Sequence, residues 1–164
     1  MSVAPEFSRP LALDRIGAAY ETEVAATAEE CAALARRLGV PSVASLACRF
    51  RLRRGAAGRI AAEAELRARL TRECVVTLDA FEADVAEAFS LVFVPEGTES
   101  DDPDPESDDE IPYAGTALDL GEAAAEQLAL TLDPYPHKPG AELPAEAEKG
   151  PESPFAALAR RRDG

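Results

Sequence analysis

Ten arginines fall between Arg36 and Arg72 against two acids, Glu63 and Glu65, a local balance of 10 − 2 = +8 in a chain whose formal net charge is −14. Arginines gathered in one stretch suit phosphate recognition, because a nucleic-acid backbone needs several cations on one stiff, accessible face. The opposite extreme lies at Glu96–Glu110, where nine acids occur without a base, so the rest of the chain carries −14 + 9 = −5. Such asymmetry bears on partners more than the net charge does.

Catalytic patterns are sparse. His137 is the only histidine, so every histidine-based triad would have to use it, and it sits among Pro134, Pro136 and Pro139 as a loop residue. Neither G-x-x-x-x-G-K-[ST] nor G-x-G-x-x-G occurs, which removes the common phosphate-cradling loops. Cys31, Cys48 and Cys74 are too far apart to give zinc-ligand spacing and read as reduced, mostly buried small residues. The acidic run is better explained by solvation than as a cation site. Gly55-Ala56-Ala57-Gly58 matches the G-x-x-G of KH domains, but its flanks alternate rather than follow helical spacing, and a hairpin turn accounts for it more simply. No enzyme activity, cofactor or metal is therefore expected.

The arginines need elements to hold them. Leu46, Cys48, Phe50 and Leu52 alternate with Ala47, Arg49, Arg51 and Arg53, the period of a half-buried strand. Ile60, Ala62, Ala64, Leu66, Ala68 and Leu70 alternate likewise with Arg59, Glu63, Glu65, Arg67 and Arg69. A three-residue loop of Ala56, Ala57 and Gly58 would place Gly58 in the left-handed position. That register sets Arg51 opposite Glu63 and Arg49 opposite Glu65. If these acids neutralise those two arginines, Arg53, Arg54, Arg59, Arg67, Arg69 and Arg72 remain as candidate nucleic-acid contacts. The rival for the second arm is a helix, favoured by its composition and by the Glu63–Arg67 and Glu65–Arg69 pairs. Its large apolar residues make no full helical stripe, so strand is preferred. Interleaved aromatics for base stacking are lacking, which limits any RNA contact to backbone and shape.

Around the hairpin, Phe7–Leu13 and Tyr20–Ala26 read as short strands. Thr27 and Glu30 have capping-box spacing, and Gly39 then Pro41 end a helix over Thr27–Leu38. Cys74–Leu78 favours extended structure, and Phe89–Val94 is a further strand stopped by Pro95. Asp119 and Glu122 offer a second capping box for a helix reaching about Leu132, after which Asp133–Gly140 is forced off helical geometry by its prolines. These elements make an α+β fold: a mainly antiparallel sheet with a long hairpin, packed by two or three helices. The expected layout is one domain over residues 1–140, with a disordered acidic insert at 96–110. A flexible tail over 141–164 would end in a short helix from Ser153-Pro154-Phe155-Ala156-Ala157-Leu158. No stretch approaches the roughly 20 apolar residues of a membrane span, and the first residues lack a leader pattern, so the expected compartment is the cytoplasm.

Several segments taken in order resemble the YceD family of large ribosomal RNA subunit accumulation proteins. They are Arg67–Phe81 centred on Cys74-Val75-Val76-Thr77-Leu78, Phe89–Pro95, the acidic insert, Ala117–Leu120 leading to Glu126–Leu130, Asp133–Gly140, and Ser153–Leu158. Many relatives look like Cys-x-Arg-Cys-Leu where this chain has Val76 and Thr77, so no metal or redox role of a cysteine pair carries over. The resemblance implies a bacterial factor in the synthesis, processing or stability of 23S ribosomal RNA, without established catalytic residues. Its partners would be ribosomal RNA or a pre-large-subunit particle, and ribosomal or processing proteins. The alternative from another class is an adaptor that recruits basic proteins through the acidic loop and Phe155–Leu158.

Overall fold

The computed structural model describes residues 4–101 and 107–142. The middle of the acidic insert and the expected terminal helix lie outside them. Seven strands and two α-helices follow one another as β1 (Pro10–Ala12), β2 (Ala19–Ala25), α1 (Ala28–Leu38), β3 (Ser42–Arg54), β4 (Ile60–Glu73), β5 (Ala80–Pro95), β6 (Asp109–Tyr113), β7 (Ala117–Asp119) and α2 (Leu120–Thr131). Strands β2-β3-β4-β5-β6 form one sheet in that order, and β1 pairs with β7 in a small second one. All pairings are antiparallel except β5–β6, which is parallel and sets Val94 against Pro112.

The β3–β4 hairpin has the expected register, with Arg51 against Glu63 and Arg49 against Glu65. The Gly55 N–H donates to the Arg59 carbonyl, closing the Ala56–Gly58 loop, and Gly58 has φ +75°. A β-carbon at Gly58 would stand 2.9 Å from Pro95 and 3.0 Å from the Tyr113 hydroxyl, which itself donates to the Gly58 carbonyl at 2.6 Å. The second arm is thus a strand. A helix would have put its alternate residues on all sides, whereas here every even position from Ile60 to Leu70 is buried.

That alternation decides where the core sits. Phe50, Leu52, Leu66 and Leu70 point to one face, and both helices pack there, α1 on β3 and α2 on β1, β2 and β4. Helix α1 carries the full capping box: Thr27 accepts from the Glu30 N–H at 3.3 Å, and the Glu30 carboxylate accepts from the Thr27 N–H at 2.7 Å. At α2 only half of the expected box forms. Asp119 accepts from the Glu122 N–H, but the Glu122 carboxylate turns to Arg37 instead, at 2.7 and 2.9 Å. Asp119 also accepts from the Ser8 hydroxyl and the Arg9 N–H, and a β-carbon on Gly121 would meet the Phe7 carbonyl oxygen at 2.6 Å. The chain before β1 therefore lies directly on the first turn of α2.

Four expectations need correction. Cys74–Leu78 is a turn rather than extended: the Leu78 N–H returns to the Cys74 carbonyl, the Cys74 N–H goes to Asp79, and Leu78 has φ +60°. The β-branched residues there are outweighed by the need to reverse between β4 and β5. Strand β5 begins at Ala80 rather than near Phe89, because the Ala, Glu and Asp that fill Ala80–Ala88 carry helical composition on a strand pattern. The first segment is a strand only over Pro10–Ala12, since Leu13–Arg15 form a 3-10 turn. Finally, the acidic run does not stay apart from the fold. Asp109 and Glu110 open β6 against β5.

Candidate nucleic-acid interface

The face of the sheet away from the helices presents Arg49, Arg51 and Arg53 from β3 and Arg67 and Arg69 from β4, all exposed. The same face carries Glu21 and Glu23 from β2, Glu63, Glu65 and Glu73 from β4, and Glu82 and Asp84 from β5. Over β2–β5 its charge is therefore 5 − 7 = −2. Alternation on neighbouring strands interleaves the two signs, so the local excess of arginine along the chain is dispersed across the sheet.

The ion pairs follow that interleaving. Arg49 reaches Glu23 at 3.4 Å and Arg51 reaches Glu21 at 3.3 Å, so these arginines are paired from β2 rather than by Glu65 and Glu63. Arg69 holds Asp84 at 2.7 Å and keeps that carboxyl below its ordinary range. Between the rows, Arg49, Arg51, Glu63, Glu65, Ser90 and Asp108 line a shallow groove of about 510 Å³. Asp108 belongs to the end of the acidic run, and it lines a smaller depression on the same face with Arg51 and Arg53. Glu21 and Glu23 were legible as alternating acids on a strand; Asp84 was not, because its strand was not.

The six candidate arginines do not share one face. Arg53 and Arg67 are outward and exposed, with no ion pair among the described residues. Arg69 is outward but paired. Arg59, at the hairpin tip, is bound to Glu110, whose carboxyl is held low by that guanidinium first and by the Ser100 N–H second. Arg54 and Arg72 occupy inward-facing positions at opposite ends of the hairpin. There Arg54 donates to the Leu13 and Ile16 carbonyls, and Arg72 donates to the Asp133 carbonyl. These two tie flanking segments to the sheet.

All three cysteines are buried and free. Burial pushes the Cys48 thiol up to about 12. Cys74 goes the other way, down to about 6, because the Thr77 hydroxyl and then the Lys138 backbone N–H stabilise its thiolate. Among the described residues no group of three or more His, Cys, Asp or Glu side chains is placed to hold a metal ion, and no helix is long and apolar enough to cross a membrane.

A family model described as large ribosomal RNA subunit accumulation protein YceD matches residues 62–160. This chain belongs to the YceD family. The family's name implies a role in accumulation of the large ribosomal subunit's RNA. The YceD match takes in Arg67, Arg69 and Arg72, most of β4, and everything from β5 to α2, and leaves Arg53, Arg54 and Arg59 before its start. It also contains Cys74, beside which Thr77 stands. Searches of curated proteins and of solved structures find no match.

Proposed function

We propose that this protein supports the accumulation of 23S ribosomal RNA as a non-enzymatic factor in the bacterial cytoplasm, and that it touches the RNA directly. The phosphate contacts assigned to it are Arg53 and Arg67 on the outer face, with the ion-paired Arg69 beside them. The family match carries the ribosomal part of this reading. What supports the contact is that Arg53 and Arg67 are exposed cations with no carboxylate partner among the described residues. A face of net charge −2 does not attract a polyanion at long range, so the binding rests on these local contacts and is weak and salt-sensitive.

The decisive experiment measures the ratio of 23S to 16S ribosomal RNA in depleted cells complemented with wild-type protein or with Arg53→Glu/Arg67→Glu. The reading expects a lowered ratio that only the wild type restores. In parallel, binding of the full chain to large-subunit RNA should weaken with the double reversal. Its salt dependence should flatten by about 0.7–0.9 in log–log slope for each phosphate that is no longer neutralised. An unchanged ratio on depletion would sink the ribosomal reading; absence of wild-type binding would sink direct contact, and binding unchanged by the reversal would sink its assignment to Arg53 and Arg67.

The nine acids of Glu96–Glu110 favour a second reading, an adaptor that recruits basic ribosomal proteins through that acidic run and Phe155–Leu158. In that case neutralising Glu96, Glu99 and Asp101 abolishes capture of ribosomal proteins while the arginine reversals leave it intact.

A further inference from the structure

The large apolar side chains that stand exposed among the described residues, Val75, Leu78, Leu130 and Tyr135, belong to three neighbouring pieces of chain. Val75 and Leu78 lie in the β4–β5 turn, Leu130 in the last turn of α2, and Tyr135 in the proline-rich segment after it. The turn and the segment touch, since the Val75 N–H donates to the Pro136 carbonyl at 3.0 Å. Beside them opens a groove of about 510 Å³, with an apolar wall of Leu38, Val40, Val75, Ala129, Leu132 and Pro136 and a rim on which Arg37 and Arg72 balance Glu73 and Asp133. Its size falls in the range of about 300–1,000 Å³ that seats a compact ligand. Scattered apolar side chains on a surface need no explanation, but a gathered set beside an apolar groove marks an interaction site. The groove lies at the end of the sheet opposite the hairpin tip.

We propose that this groove seats the chain's own segment Ser153–Leu158, with Phe155 and Leu158 as the apolar anchors. Spaced three apart, the two side chains would share one side of the segment if it is seated as a helical turn. The tether reaches: ten residues separate Glu142 from Ser153, and ten residues span up to about 33–36 Å. The groove's own wall includes Pro136, only six residues before Glu142. A tether this short holds the segment at an effective concentration on the order of millimolar, far above what a separate partner of equal affinity would supply. The family match continues to residue 160 and so takes in the whole segment together with most of the groove.

The chain has no tryptophan, which gives a direct test. Phe155→Trp in the full chain places a single reporter in the segment. The expected result is a blue-shifted emission that does not change on dilution and moves to the red when Val75→Asp is added. Ala129→Glu serves as a second groove variant, and circular dichroism checks that each double variant keeps its fold. Red emission from the folded Phe155→Trp chain would overturn the proposal, because the segment then stands in water and is free for a separate protein. A blue shift that fades on dilution would overturn it in favour of a second copy. A blue shift that survives both groove variants would place the segment elsewhere.

Discussion

The two faces of the central sheet have been built by the same strands to opposite ends. On the inner face Phe50 and Leu52 are fully buried, and Phe50 meets Phe89 edge to face with ring centroids 6.3 Å apart. On the outer face five arginines and seven acids stand in water, and the three ion pairs between them are each more than half exposed. Burial of apolar area stabilises, whereas exposed ion pairs contribute little. The inner face therefore determines whether the chain folds, and the outer face is left free to answer to partners.

The strongest way to break this comparison is Phe50→Ala. It should lower the unfolding free energy by about 3–5 kcal/mol, because the removed ring leaves a cavity in a packed core; urea denaturation reads the loss. A cost well below 1 kcal/mol would mean that this face is not the core. Next is Gly121→Ala, where the added carbon meets backbone atoms of Phe7 and Arg9 at 2.6–3.0 Å. Backbone cannot rotate away as a side chain can, so about 1–3 kcal/mol of overpacking is expected, with a fall in melting temperature.

A smaller, pH-dependent effect comes from the rim of the inner face. The Arg9 guanidinium, and then the Thr27 N–H, hold the Glu30 carboxyl at about 2, against its ordinary 4.5. A depressed carboxyl stabilises the fold above its unfolded value and loses that contribution as pH falls. Stability should thus decline between pH 4.5 and 2, and Glu30→Gln should flatten the decline in acid titrations followed by circular dichroism. The smallest effect belongs to the outer face. Arg69→Ala should leave the melting temperature nearly unchanged, because an exposed ion pair contributes little, despite the 2.7 Å contact with Asp84. A larger loss would show that the charge lattice shares in holding the fold.

The same contrast explains what was legible in the amino-acid sequence. Both arms of the β3–β4 hairpin, their register and the Gly58 turn were readable, because alternation reports burial on one side of a strand. Helix α1 was readable from its cap and from Gly39. Strand β5 was half hidden because Ala83, Asp84, Ala86 and Glu87 are residue types depleted in strands, and only tertiary pairing with β4 decides for them. The overall charge of the outer face was not legible from the hairpin alone. Counting along the chain between Arg36 and Arg72 yields an excess of arginine, while the sheet brings Glu21, Glu23, Glu82 and Asp84 into the same surface from distant positions. Nor could spacing reveal that Arg54 and Arg72 turn inward to carbonyl groups.

The outermost strand carries one more consequence. β6 forms one edge of the five-stranded sheet and is only five residues long. Pro112 offers no N–H along it, and Asp109 and Glu110 add charge at its start. A bare sheet edge is a template on which another polypeptide can lay a strand and begin a fibril, and short, charged, proline-bearing edges resist that growth. The end of the acidic run thus acts as a selvedge on the sheet, blunting this edge against the addition of a further strand.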